Sequence, residues 1–342
     1  MQKPCRLAVI GLGMAVAPHA RSLIDLEASG LVQVAAAWSP SEARRRAFAA
    51  AYPFPICDTL DAIVQDRSID AALVLTPPNA RQALVETLAQ AGKHILSEKP
   101  LERTAAAAEH LVSVCEAARV TLGVVLQHRF RPASLRLRAL LAEAALGDPA
   151  VVQLAVPWWR PQRYYDEPGR GTLARDGGGV LISQAIHALD LMLSLAGPVS
   201  AVAAVAGTSA LHRMETEDSV GAGLRFANGA IGSVFASTAC YPGVGESLTL
   251  ACTRATATIT GGSLNVAWHD GRVEHFAGEA QSGGGADPMA FPHDAHRALI
   301  EDFVVAIGNG EEPHVNGRRA LAVHRLIDAL LASAQEGRSV SP

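Results

Sequence analysis

Charge is scarce in this chain and aromatic residues are scarcer: 18% of its 342 residues are charged and 5% aromatic. Net charge is -4, and the densest positive run is Arg44-Arg45-Arg46, which argues against nucleic acid as the main partner. Cysteine is sparse too. Cys5, Cys57, Cys115, Cys240 and Cys252 are odd in number and lack metal-ligand spacing. They read as reduced, mostly buried thiols of a cytosolic protein. Long apolar runs are also missing. Leu7 to Ala17 follows Lys3 and Arg6 but is broken by Gly11 and Gly13, so it reads as strand, turn and helix rather than a signal peptide. Leu189 to Leu211 is interrupted by Asp190 and Gly197-Pro198, which excludes a membrane span. No internal repeat is visible. What is abundant is apolar surface, 49% of residues, over a length that suits about two domains.

The first domain, residues 1–125, reads as an alternating β-α series. Strands are expected at 6–10, 31–38, 71–75, 94–97 and 120–127, with helices between them to about Ser29, over 44–52, after Asn79 and over 104–118. In the third helix Ala80, Ala83, Leu84, Thr87, Leu88 and Ala91 fall at helical spacing before Gly92. Such alternation predicts a doubly wound parallel sheet. The rhythm changes in residues 126–342. A helix over 135–145 and a strand over 151–156 precede Gly177-Gly178-Gly179, which leads into a helix carrying His187. Apolar runs from Val199 to Val273, separated by Gly, Asn-Gly and Pro-Gly turns, predict an antiparallel sheet, with a hairpin at Ala227-Asn228-Gly229-Ala230. Gly283-Gly284-Gly285 reads as a mobile surface loop. Two amphipathic helices close the chain, the first with Leu299, Ile300, Phe303, Val304 and Ile307 on one face.

Two features carry chemistry. Gly11-Leu12-Gly13, followed by Met14 and Ala15, sits between a strand and a helix, where backbone N–H groups and the helix dipole attract a phosphate. It is two-thirds of a G-x-G-x-x-G pattern: Val16 fills the third place and pushes the helix slightly away. Pro18 is tolerated only in a first helical turn, so the helix should begin a residue or two late. At the end of the second strand Trp38-Ser39-Pro40 offers no acid, while Arg44 lies within reach, which favours NADP over NAD. The second feature is Glu98-Lys99-Pro100, which places a lysine at the carboxyl end of a strand. Together they point to hydride transfer on a hydroxyl or carbonyl.

With Thr76-Pro77-Pro78-Asn79 and Gly177-Gly178-Gly179…His187-Ala188-Leu189-Asp190 added, the chain resembles the Gfo/Idh/MocA oxidoreductases nearly end to end. The resemblance implies a Rossmann domain followed by an α/β domain with a large open, mostly antiparallel sheet, through which members often form dimers or tetramers. It also implies that Lys99 lies beside the nicotinamide and touches the reacting oxygen, with a Lys99-Pro100 bond that is often cis. Thr76, Pro77, Asn79 and Glu98 would line the coenzyme, NADP or NAD, and Gln127 to Arg129 would border nicotinamide and substrate. Many members carry an aspartate where this chain has Ser183, and a glycine where it has Ala185. Proton chemistry therefore falls to His187.

Histidine suits that task because its ordinary pKa lies near neutrality, and Lys99 would stabilise negative charge growing on the oxygen. Asp190, three residues on, could orient His187; a helix-capping or interdomain contact explains it equally well. Trp158-Trp159-Arg160-Pro161-Gln162-Arg163-Tyr164-Tyr165 concentrates donors and aromatic faces suited to a sugar or an anion, although such residues also favour subunit contacts. Arg129, Arg160, Arg163, Tyr165, Ser183 and Gln184 are the substrate candidates, with Arg170 behind them. His19, His128, His293 and His296 lack any short His/Cys/Asp spacing, so no metal is expected. The expected activity is an NAD(P)-dependent oxidoreductase acting on a sugar, polyol or sugar derivative, with no nucleic-acid or membrane partner. A coenzyme-bound sensor and an NAD-assisted lyase or glycosidase remain open on the same fold.

Overall fold

A computed structural model of the chain describes residues 3–278 and 292–342. The glycine run at 283–285 lies outside the described residues. Two units emerge, one of residues 3–102, 106–127 and 293–321, the other of residues 103–105, 128–278, 292 and 322–342.

In the first unit β1 (Cys5–Ile10), β2 (Val32–Trp38), β3 (Ala71–Val74), β4 (His94–Ser97) and β5 (Leu122–Val124) form a parallel sheet of order β2-β1-β3-β4-β5. Helices α1 (Val16–Ala28), α2 (Glu42–Ala51), α3 (Leu60–Gln65), α4 (Gln82–Gln90) and α5 (Ala105–Ala117) connect its strands. The strands are buried apolar runs because helices cover both faces of such a sheet, and all four residues of β3 are fully buried. The chain runs outward from β1 to β2, then returns to β3 on the other side. A ligand-binding crevice belongs at the carboxyl ends on either side of that reversal.

Four expectations needed correction. β5 is only three residues long, and just past it Leu126 turns its N–H back to the Val124 carbonyl. Helix α3 was not anticipated; Thr59 caps it, and only Ile63 of its six residues is buried, too little pattern to read. The buried face of α4 is Leu84, Val85, Leu88 and Ala89, continued backwards by Arg81, while Ala80, Ala83 and Thr87 face solvent. Alanines on both faces blurred the period there. In the second unit α6 is Pro132–Ala142, three residues earlier than expected. Pro132 starts it, where a missing N–H costs nothing, and Ala144 in the left-handed region ends it.

The second unit is built on eight strands: β6 (Pro149–Pro157), β7 (Val199–Gly207), β8 (Ser219–Phe226), β9 (Ile231–Ser237), β10 (Ser247–Cys252), β11 (Ala255–Thr260), β12 (Ser263–Trp268) and β13 (Val273–Phe276). Their order is β13-β12-β11-β10-β6-β9-β8-β7, antiparallel throughout except for β6 beside β9. Asn228-Gly229 makes the expected hairpin between β8 and β9, with Gly229 at φ +90. Helix α6 packs against β11 and β12, and α8 (Ile186–Ala196) against β6 and β10, while α7 (Gln162–Tyr165) is a single turn. Val152, Leu154 and Val156 of β6 are fully buried, and the alternate residues face outward. Finally α9 (Asp294–Asn309) returns to α1 in the first unit, and α10 (Gly317–Glu336) follows it. On α9, Leu299, Ile300, Phe303 and Val304 are buried, as the spacing predicts, while Ile307 is only half-buried.

Candidate active site

At the carboxyl end of β1, Gly11 has φ +101, and a Cβ there would stand 2.9 Å from the Leu75 and Thr76 backbone. Both the conformation and the close approach demand glycine. A Cβ on Gly13 would meet only Arg44 Nη1, at 3.7 Å. The turn is therefore open above Gly13, with a guanidinium beside it. Helix α1 begins at Val16, three residues past Gly13, with Pro18 in its first turn. Ala15 gives the first turn no side-chain cap and no acid stands there. Met14 is exposed at the tip. Nearby, Ser39 is buried and its carbonyl takes Arg45, while Arg44 is exposed.

The loops after β3 and β4 are held by a residue that sequence reasoning missed. Arg81, 1% exposed, gives its guanidinium to the carbonyls of Thr76, Glu98, Pro100 and Leu101. Burial pulls its pKa down to about 10, against the raising influence of Glu98 and Glu102. The signal was present: Arg81 stands three, four and seven residues before Leu84, Val85 and Leu88, on their buried face. Glu98 is turned inward. Its Oε1 lies 2.9 Å from His19 Nε2, and its Oε2 accepts the Lys99 N–H at 2.8 Å. Burial would raise its pKa, but the His19 hydrogen bond and the charges of His19, Lys99 and His296 hold it at about 2. Glu98 thus fixes the backbone of Lys99, which is half-buried and joined to Pro100 by a cis bond.

His19, Glu98 and His296 bring donor atoms within 4.8 Å of one another, a cluster that spacing along the chain could not reveal. His19 and His296 also meet edge to face at 4.9 Å. The 2.9 Å contact between His19 and Glu98 is a charge-assisted hydrogen bond.

A dinucleotide fits this end of the first unit. The open glycine turn and uncapped first helical turn suit a pyrophosphate. Thr76 Oγ1 and Gln127 Oε1 are buried without a hydrogen-bond partner and could satisfy polar atoms of a ligand. Pro77 and Asn79 are exposed at the end of β3.

The second unit carries the other candidates. The glycine run precedes a π-turn, Leu181–Ala185, and then α8. A Cβ on Gly179 would stand 1.8 Å from the Glu217 carbonyl oxygen, so only glycine lets that segment pass. The buried Glu217 carboxylate accepts the N–H groups of Gly179 and Leu181 and caps the segment. Burial raises its pKa more than those N–H groups lower it. The π-turn carries half-buried Ser183 and buried Gln184, whose Oε1 has no partner. His187 follows, 7% exposed, its ring stacked on His128 at 4.9 Å.

Asp190 does not orient His187 by a direct bond; it takes Arg129 through two hydrogen bonds of 2.7 and 2.5 Å. Asp190 is 1% exposed, and burial raises its pKa in spite of that partner. Arg129 is thereby committed to the fold. The aromatic segment divides. Arg160 is buried, its guanidinium 5.3 Å from the Trp158 ring and 5.7 Å from that of Tyr164. Arg170 Nη1 and Gln184 Nε2 both donate to the Tyr164 hydroxyl, at 2.8 and 3.3 Å. Tyr165 is buried with its hydroxyl on Thr238, and Arg163 is exposed. Ser183, Gln184, Tyr164, Arg160 and Arg170 therefore stand as the candidate wall, with Tyr165 behind it.

A dinucleotide-binding unit joined to a unit with an open sheet defines an oxidoreductase of the NAD-binding Rossmann class. Residues 5–126 match the oxidoreductase-family NAD-binding Rossmann fold, and residues 134–258 match the Gfo/Idh/MocA C-terminal domain. The chain belongs to the Gfo/Idh/MocA family. It is 27% identical to an inositol 2-dehydrogenase of Rhizobium meliloti over 98% of each chain. It is 26% identical to a D-xylose 1-dehydrogenase (NADP(+)) of Haloferax volcanii, also over 98% of each. Among solved structures it is similar to the WlbA dehydrogenase from Bordetella pertussis, crystallised with NADH and UDP-GlcNAcA, at 26% identity, 99% coverage of each chain and a TM-score of 0.83. Among the described residues no helix is long and apolar enough to cross a membrane.

Proposed function

We propose that this protein moves a hydride between a nicotinamide coenzyme and a hydroxyl or carbonyl of a sugar, polyol or sugar derivative. The observation that carries the reading is the anchoring of Lys99. Arg81 and Glu98 fix its backbone at the carboxyl end of β4, in the unit that matches an NAD-binding domain. When bound, the nicotinamide supplies hydride acceptance and donation. Lys99 holds the reacting oxygen and stabilises the charge that grows there. His187 takes the hydroxyl proton in oxidation and returns it in reduction. Ser183 binds a neighbouring hydroxyl, and Arg160, Tyr164 and Gln184 hold the rest of the substrate. Relatives named for inositol and xylose support a carbohydrate, and the one crystallised with UDP-GlcNAcA extends the class to nucleotide sugars.

NADP is the favoured coenzyme, because Arg44 stands beside the glycine turn and no acid ends β2. A homodimer or homotetramer forms through the outer face of the large sheet, where Val151, Val205, Ile231 and Phe235 are exposed. Absorbance at the reduced-nicotinamide band tests the activity: aldoses, inositols, uronates and nucleotide sugars are offered with each coenzyme. Net reduction with one sugar class is expected. Lys99→Ala should lower kcat by about 100-fold or more with coenzyme affinity retained. Full turnover in that variant would refute the assignment.

A further inference from the structure

The His187 ring stacks on His128, and beyond His128 lies a buried charged pair. Glu246, 6% exposed, accepts a hydrogen bond from Arg131 Nη1 through Oε1, and that oxygen is 3.9 Å from His128 Nδ1. Oε2 of Glu246 and Oγ of Ser134 are both buried without a hydrogen-bond partner. A cavity of about 10 Å³ adjoins them, lined by His128, Arg131, Ser134, Ala188, Leu191 and Glu246 among others. That is the size of one water, and the two orphaned oxygens are the partners a water would need.

We propose that Glu246 and Arg131 are positioning residues for His187, acting through the His128 ring, and that a single water completes their hydrogen bonds. The proposal rests on His187 being the acid/base of the proposed reaction. Glu246 and Arg131 carry opposite charges, so each alone biases the imidazolium of His187 in the opposite sense. The negative carboxylate favours the protonated ring and the guanidinium disfavours it. Strand β6 and the π-turn hold no titratable group, β10 brings only buried Cys252, and α6 points Arg136 and Arg138 to solvent. Arg129 and Asp190 form a pair of their own.

The test reads His187 itself and needs no known substrate. Full-length protein with ¹³C-labelled histidine is titrated from about pH 5 to about 9, the range in which histidine changes charge. The resonance missing from His187→Asn is assigned to His187. Glu246→Gln should move its midpoint down by about one pH unit, and Arg131→Gln should move it up by a similar amount. Ser134→Ala removes a partner of the water but no charge, and should leave the midpoint in place. If both charge variants fold and the midpoint stays put, or both move it the same way, the proposal is overturned. If only one folds, the sign of its shift decides. The reaction reading fails separately: a His187→Asn variant with full turnover would sink that reading, whatever the titrations show.

Discussion

Replacing Arg81 with methionine should damage the first unit more than any other single polar change there. The side chain is 1% exposed and its guanidinium serves four carbonyls. Hydrogen bonds to a charged group are worth about 1.5–3 kcal/mol each, so the four are worth roughly 6–12 kcal/mol gross. Against this stands the cost of burying the cation. Its pKa falls to about 10 even with Glu98 and Glu102 raising it, a net cost of about 3 kcal/mol. The difference, about 3–9 kcal/mol, is reduced because methionine fills part of the volume and the loops can turn some carbonyls to water. A loss of about 3–5 kcal/mol is therefore expected. Urea unfolding followed with and without coenzyme identifies the transition that belongs to the first unit, since ligand moves only that one. Arg81→Lys keeps the charge but offers one nitrogen where four carbonyls are spread out, and should recover less than half of the loss. Turnover should fall further than coenzyme affinity, because Thr76 and Lys99 lose their common anchor. A methionine variant within about 1 kcal/mol of the parent protein would refute the reasoning.

Glu98 should confer acid sensitivity. Its pKa is held at about 2 in the folded state against an ordinary 4.5, so its contribution is present above pH 4.5 and is lost as pH falls towards 2. That amounts to about 3 kcal/mol, and Glu98→Gln should flatten the corresponding part of the stability–pH curve. Arg129→Met should cost about 3–5 kcal/mol by stranding buried Asp190, while Arg129→Met with Asp190→Leu should regain most of it in urea unfolding. A double variant no better than the single would show that the pair has other partners. Arg44→Ala should weaken NADP by about tenfold more than NAD in fluorescence titration, one charge-assisted contact being worth about 1–2 kcal/mol; equal weakening removes the coenzyme argument.

The strands of the first unit were legible because a parallel sheet buried on both faces leaves apolar runs, and Ala71 to Val74 has no other use. The glycine turn was legible because Gly11 answers to a backbone 2.9 Å away, and no other residue would serve. The antiparallel sheet announced itself through its turns, Asn228-Gly229 above all. What could not be read was the pairing of polar groups distant in sequence. Glu217 with the glycine run, Arg129 with Asp190, and His19 with Glu98 are joined only once the chain has folded. A lone Arg81 on an apolar helical face was a visible anomaly, but its four partners were not.

Those hidden pairs have a common placement. In a chain where 18% of residues are charged, Arg81, Glu98, Asp190, Glu217 and Glu246 are all buried, and each holds the backbone or a neighbour of a proposed functional residue. Burying charge is a poor route to stability, because desolvation offsets most of what pairing returns. It is a good route to a fixed geometry, since the pairing directions leave few alternatives. Arg81 and Glu98 fix Lys99, Glu217 fixes the start of the segment that carries His187, and Asp190 ties α8 to the loop bearing Arg129. The exposed residues of the same regions, Met14, Pro77 and Asn79, have no such restraint. The chain therefore places rigidity at the residues assigned to the proposed proton and hydride exchange, and leaves the proposed outer contacts of the coenzyme without it.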